Sequence, residues 1–299
     1  MLAWGQLLHG HDPPRLRSIV KRPMLAWVNA SAAEWRPDDP SAARALLEAH
    51  SHARAACATS HATTLPSGGW CLRRMARRQL FGHAERRVTL RDGTRFMLPD
   101  THVEADSILV RVLLRRVLRA SDGTLLSLLD LGSGVGQYGY ALRALAPLLP
   151  YRAYDGAGDV EEYTRGFVRF ADLRLRLALP RADWVLSLEV GEHLAAAHEA
   201  MYLRNLHAHN CRGIVLSWAL HGGHQHVNRR PSAYVVGLVT PLGYRLNEKL
   251  TEAMRSPHVR SRVRPEQQQP RGNMTVYGWF AHTVMVFERI QPLSGIGCT

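Results

Sequence analysis

The run Leu125-Leu126-Ser127-Leu128-Leu129 passes into Asp130-Leu131-Gly132-Ser133-Gly134-Val135-Gly136-Gln137-Tyr138-Gly139, and a helical pattern follows at once. No other stretch constrains the fold as strongly. An apolar strand that leads through a glycine turn into a helix opens a βαβ unit. The glycines let the backbone turn sharply and come close to a ligand, and the helix N-terminus offers free N–H groups. No Lys-Ser/Thr follows the glycines, so the loop is not a phosphate-gripping P-loop.

Further short apolar runs alternate with helical segments downstream: Tyr151 to Tyr154, Trp184 to Leu188, Gly213 to Trp218 and Thr283 to Phe287. That alternation predicts an α/β fold, a parallel sheet covered by helices on both faces. Upstream, Ile108, Leu109, Val112, Leu113, Val117 and Leu118 share one face of a helix expected over 104–120. Ser41 is the expected N-cap of a helix from Ala42 to about Ala58. Asp92-Gly93, flanked by Val88 to Arg91 and Thr94 to Met97, signals a hairpin with a type I′ turn. Residues 1–40, with Trp4, Trp27 and Trp35 scattered among prolines, read as an irregular N-terminal arm. Residues 41–106 then form a small mixed cap, including Trp70, Phe81 and His83, and 107–299 the main α/β domain.

With 299 residues, 46% of them hydrophobic, the chain can bury a sizeable core. It lacks any uninterrupted apolar run of the ~18 residues that a membrane span needs. The net charge of +13 sits mostly in the front portion and would attract a polyanion. Lys21 and Lys249 are the only lysines, so the arginine excess reads as codon bias. Cys57, Cys71, Cys211 and Cys298 are too scattered for a zinc knuckle and too few for a disulfide framework, which favours a reducing, cytoplasmic setting. Few acids and several arginines before Asn29 are also compatible with an organelle transit segment.

Acids stand at three strand ends. Asp130 at the glycine turn suits a positively charged amino-acid moiety better than a pyrophosphate. Asp155, in Tyr154-Asp155-Gly156, can accept hydrogen bonds from both hydroxyls of a ribose. Asp172, in Phe170-Ala171-Asp172-Leu173, is placed to meet an adenine amino group. An NAD-dependent Rossmann enzyme is the competing reading of a glycine-rich turn. Together the stations resemble the class I S-adenosylmethionine-dependent methyltransferases, from about Ser107 to Ile290. The resemblance implies a Rossmann-like seven-stranded sheet with helices on both faces. It also implies that S-adenosylmethionine rests on Asp130, Gly132, Ser133, Gly134, Gly136, Tyr138, Asp155, Gly156, Asp172, Leu173 and Glu189.

The strand Asp183 to Leu188 opens into Glu189-Val190-Gly191-Glu192-His193 at the ligand-binding edge. In a helical turn Glu189, Glu192 and His193 share one face. A further histidine, His224 or His226, is available in His221-Gly222-Gly223-His224-Gln225-His226, after the neighbouring strand. Two carboxylates and two imidazoles, Glu189, Glu192, His193 and His226, would suit Mg²⁺ or Mn²⁺. The histidine run alone could instead suggest zinc, or merely hydrogen-bond a substrate loop. The Glu-x-x-Glu-His pattern is similar to that of ubiquinone-pathway O-methyltransferases and of small-RNA 3′-end 2′-O-methyltransferases. It implies metal-assisted methylation of a hydroxyl, with Glu192, His193 and His226 as the catalytic set and a histidine as general base where no metal is bound. The expected acceptor is a small molecule. RNA is the alternative, though no RNA-end-binding domain is recognisable, and a catalytically silent cofactor-binding module is a third reading. Trp218 and Tyr138 are candidate aromatic walls beside the methyl group.

Overall fold

The computed structural model describes residues 22–59, 63–65, 67–78, 85–99, 101–260, 268–271, 274–295 and 298. Trp4, Phe81 and His83 lie outside them. In chain order the helices α1 (Arg22–Ala33), α2 (Pro40–Thr59) and α3 (Leu72–Arg78) come first, followed by the hairpin of β1 (Arg86–Thr89) and β2 (Arg95–Leu98). Then come α4 (Ser107–Val112), prolonged by a π-turn over Leu113–Val117, β3 (Leu128–Leu131), α5 (Gln137–Leu145), β4 (Tyr151–Asp155), α6 (Val160–Tyr163), β5 (Arg169–Phe170) and β6 (Ala182–Ser187). The remainder comprises α7 (Glu199–Ala208), β7 (Asn210–Ser217), α8 (Ser232–Val239), β8 (Tyr244–Leu246), α9 (Glu248–Arg260), β9 (Gln268–Arg271), β10 (Met274–Tyr277), α10 (Phe280–Thr283) and β11 (Val284–Arg289).

Seven strands form one sheet in the order β5-β4-β3-β6-β7-β11-β8, with β11 antiparallel to β7 and β8 and every other pair parallel. This is the Rossmann-like α/β sheet expected. The strands are apolar because both faces are covered. Leu129, Leu131, Val185, Ile214 and Leu216 pack under α1, α7 and α8, whereas Leu128, Trp184, Val215 and Val286 pack on the other face with α4, α5 and α9. Among the described residues no helix is long and apolar enough to cross a membrane.

Four local expectations change. The described part of the arm is not irregular: Leu25, Val28 and Ala32 recur at helical spacing and bury α1 against α7. Asp39 rather than Ser41 caps α2. Its Oδ1 accepts from the Ser41 and Ala42 amides at 3.0 and 3.2 Å and from the Ser41 hydroxyl at 2.7 Å, and Pro40 opens the helix. The hairpin turn has only Gly93 at positive φ (85°), with Gly93 N–H donating to the Leu90 carbonyl and Leu90 N–H to that of Thr94. That is a type I turn closed by a left-handed glycine, so Asp92 is spared the left-handed conformation a type I′ turn demands.

The cysteines give the fourth change. Cys57 bonds Cys71 across 14 residues, and Cys211 bonds Cys298 across 87. Separation along the chain is no measure of separation in space: the C-terminal segment returns along β7, where Leu293 N–H donates to the Cys211 carbonyl at 2.8 Å. The cysteine argument for a reducing compartment therefore falls.

Candidate active site

The carboxyl ends of β3 to β6 open into a cavity of about 210 Å³, roofed by Ser67 to Leu72 and Thr101 to Val103. Gly69 is the tightest point of this roof. A Cβ there would lie 1.9 Å from the Gly156 carbonyl oxygen, so only glycine lets the two backbones touch. Asp159 fixes the roof from below by accepting the amides of Leu72 and Arg73 at 2.8 and 3.0 Å, and Gly158 N–H donates to the Trp70 carbonyl.

Gly132, Gly134 and Gly136 all have positive φ, as the turn after β3 requires. The Asp155 carboxylate spans the next connection, accepting from Gly134 N–H and Ala157 N–H at 2.8 Å each. Burial pushes its carboxyl up to about 6, against the pull of those amides. Of the residues predicted for the cofactor, Gly132, Gly134, Tyr138, Asp155, Gly156, Leu173 and Glu189 line the cavity.

Four others do not line it. Asp130 lies behind the turn, where it accepts from the Tyr151 hydroxyl at 2.8 Å and burial raises its carboxyl to about 7. Ser133 and Gly136 form the turn without facing the space. Asp172 is held by Arg174, whose Nε lies 3.1 and 3.2 Å from its two oxygens and whose terminal nitrogen donates at 2.8 Å. Its neighbours Ala171 and Leu173 take its expected place on the wall.

Beyond β6 the chain makes a left-handed step at Glu189 (φ 56°) and then a single 3₁₀ turn over Gly191–His193. Helical-face spacing presumed an α-turn here; with the left-handed step the Glu189 carboxylate still lies beside that of Glu192 but does not join the set with the two histidines. Its Oε1 accepts instead from Ser217 at 2.7 Å and Thr283 at 3.4 Å. Glu192, His193 and His226 do converge, with one ligand atom from each lying within 4.8 Å of the others. The backbone enforces this meeting: the amides of Val227 and Asn228 both donate to the Glu192 carbonyl at 2.9 Å, which lays the histidine loop on the 3₁₀ turn. His226 Nδ1 faces the His221 carbonyl at 3.0 Å, so donation there leaves Nε2 as a ligand atom.

Both carboxylate oxygens of Glu192 and the Nδ1 of His193 are buried without a hydrogen-bond partner. Burial, with the Glu189 charge nearby, holds the Glu192 carboxyl well above its usual range. Burial and His226 push His193 down to about 4, leaving a neutral imidazole. An orphaned buried carboxylate between two imidazoles fits a divalent cation, which would relieve the carboxylate's isolation. His224, Trp218 and Tyr138 have separate places. His224 lies 6.0 Å from the Trp70 ring, Trp218 packs under Gly191 while its Nε1 donates to the Asn228 carbonyl, and Tyr138 lines the cavity.

His102, Trp279 and Phe280 also line the cavity, and no sequence motif marked them; Gln137 lines it too, inside the glycine-rich stretch but with no role assigned from sequence. Trp70, expected only as part of the cap, sits edge-on to both His102 and His193, at 5.1 and 5.9 Å. The adjacent Gly68-Gly69 pair was the available sign of a close backbone approach.

No family model matches the chain, and no curated protein matches it in sequence. Solved structures do. The magnesium protoporphyrin IX methyltransferase of Synechocystis PCC 6803 with bound S-adenosylmethionine is 16% identical, with 61% of this chain and 76% of that one covered and a TM-score of 0.38. The 1,6-didemethyltoxoflavin-N1-methyltransferase of Burkholderia thailandensis is 16% identical over 62% of this chain and 79% of its own, with a TM-score of 0.37. The [4+2]-cyclase SpnF is 14% identical over 65% and 85%, with a TM-score of 0.39. None is close enough to transfer a substrate.

Proposed function

We propose that the protein is an S-adenosylmethionine-dependent methyltransferase that acts on a hydroxyl oxygen of a small molecule, with a divalent cation held by Glu192, His193 and His226. One observation carries the reading. The cavity that contains the half-buried, backbone-braced acid at the end of β4 reaches His193 beyond β6, and His193 meets the buried carboxylate of Glu192 and the imidazole of His226 just behind that wall.

Methyl transfer from a sulfonium is an in-line displacement, and positioning supplies most of the help. Asp155 accepts the ribose hydroxyls while its amide partners hold it still. Tyr138 packs beside the cofactor, and the roof from Ser67 to Leu72 excludes water. The acceptor hydroxyl must lose its proton. An imidazole held near 4 is a poor base at neutral pH, which makes His193 a better ligand than proton acceptor. A divalent cation held by Glu192, His193 and His226 would supply Lewis acidity that lowers an acceptor hydroxyl's pKa. With Glu189 outside the set, one carboxylate and two imidazoles favour Mn²⁺ over the harder Mg²⁺.

Calorimetric titration with S-adenosylmethionine and S-adenosylhomocysteine tests the cofactor assignment, and binding of neither overturns it. Turnover of an RNA acceptor that collapses with added salt, beside none on small hydroxylated acceptors, would shift the acceptor to RNA.

A further inference from the structure

The sheet order lays out the cavity edge as a sequence of stations. Ala171 and Leu173 follow β5, Asp155 closes β4, Gly134 follows β3, and Glu189 follows β6. If the nucleoside occupies the first two stations, the ground beside Gly134 falls to the amino-acid end of the cofactor. That end carries a carboxylate, and the glycine turn has little to offer it. The Gly132 and Ser133 amides donate to the Tyr154 carbonyl at 2.8 and 3.1 Å, Gly134 N–H to Asp155, and Gly136 N–H to the Ser133 carbonyl at 2.9 Å. Among the described residues no lysine or arginine lines the cavity.

Two side chains converge on this spot. A Cβ on Gly134 would lie 2.7 Å from Cδ2 and 2.9 Å from Nε2 of His102, and 3.2 Å from Oε1 of Gln137. The Thr101 hydroxyl lies 3.1 Å from His102 Nδ1, and with that hydroxyl donating, the ring proton sits on Nε2, the atom beside Gly134. The buried Oε1 of Gln137 has no partner. A half-turn of its carboxamide presents an N–H₂ in its place. We propose that His102 and Gln137 form the subsite for the α-carboxylate of the cofactor's methionine. The cap, through His102, then reads the amino-acid end of the ligand while Asp155 reads its sugar. Donation from neutral N–H groups suits an anion in a cavity without cations.

This assignment rests on the methyltransferase reading, and two probes separate the two. S-adenosylhomocysteine carries the carboxylate; 5′-methylthioadenosine has the same nucleoside and a thioether but no amino-acid group. By calorimetry, His102→Ala weakens S-adenosylhomocysteine by about ten-fold or more and 5′-methylthioadenosine by less than about two-fold. Gln137→Leu shifts the same ratio in the same direction, and His102→Gln, which keeps an N–H donor, restores part of the loss. Equal weakening of both probes, or of neither, overturns the assignment. If His102→Ala does not fold, the probe ratio of Gln137→Leu decides. A wild-type protein that binds neither probe refutes the methyltransferase reading itself, before any variant is made.

Discussion

Replacing Asp155 with asparagine separates what this residue contributes to binding from what it costs the fold. With its carboxyl held at about 6 instead of 3.8, the buried ionised form is about 3 kcal/mol less favourable at neutral pH than in the unfolded chain. Asparagine removes that penalty. In exchange, one of the two amides at 2.8 Å, Gly134 or Ala157, now faces an N–H₂ and goes unpaired, at about 1–3 kcal/mol. The ligand-free Asp155→Asn protein is therefore as stable as wild type, or up to about 2 kcal/mol more stable, in urea denaturation at pH 7. Binding moves the other way. A hydrogen bond to a charged acceptor exceeds one to a neutral acceptor by about 1–1.5 kcal/mol, so two ribose hydroxyls lose about 2–3 kcal/mol, or roughly 30- to 150-fold in affinity. The pH dependence has the same opposed signs. The folded protein takes up this proton more readily than the unfolded chain, so acidification from pH 7 toward 4 adds stability through Asp155. It also weakens cofactor binding, with a midpoint near 6 that the asparagine variant lacks. Wild-type affinity in Asp155→Asn refutes the ribose assignment, and a loss of several kcal/mol in its ligand-free stability refutes the burial argument.

Exhaustive chelation is expected to abolish turnover while S-adenosylhomocysteine affinity stays within about three-fold, and Glu192→Gln should reproduce it; full turnover after chelation defeats the cation assignment. Gly69→Ala forces a methyl against the Gly156 carbonyl, and the resulting strain of about 1–3 kcal/mol should appear as weaker cofactor binding, checked by calorimetry. Serine at both Cys211 and Cys298 removes the tie across 87 residues and should lower the unfolding free energy by about 2–5 kcal/mol under non-reducing conditions; an unchanged urea midpoint contradicts a formed disulfide.

What was legible in the sequence was local and periodic. The central strands announced themselves because burial on both faces leaves continuous apolar runs, and the glycine turn because its backbone has few other solutions. The two residues of β5 and the three of β8 are too short to carry a pattern, and they owe their place to neighbours already in the sheet. Side-chain roles were less legible wherever a competing partner was present. The pairing of Asp172 with Arg174 was open to view two positions along the chain. The capture of Glu189 by Ser217 was not, because it requires the two strand ends to lie side by side. His102 shows the limit most clearly. It belongs to no motif, and it acquires a neighbour in Gly134 only once the connection after the β1–β2 hairpin settles over the sheet edge. A site assembled from a regular sheet edge and an irregular roof is legible from sequence on the sheet side alone. Within the proposed function, the roof positions other than Gly69 and His102 are therefore where substitutions should redirect acceptor choice while leaving Asp155 in place.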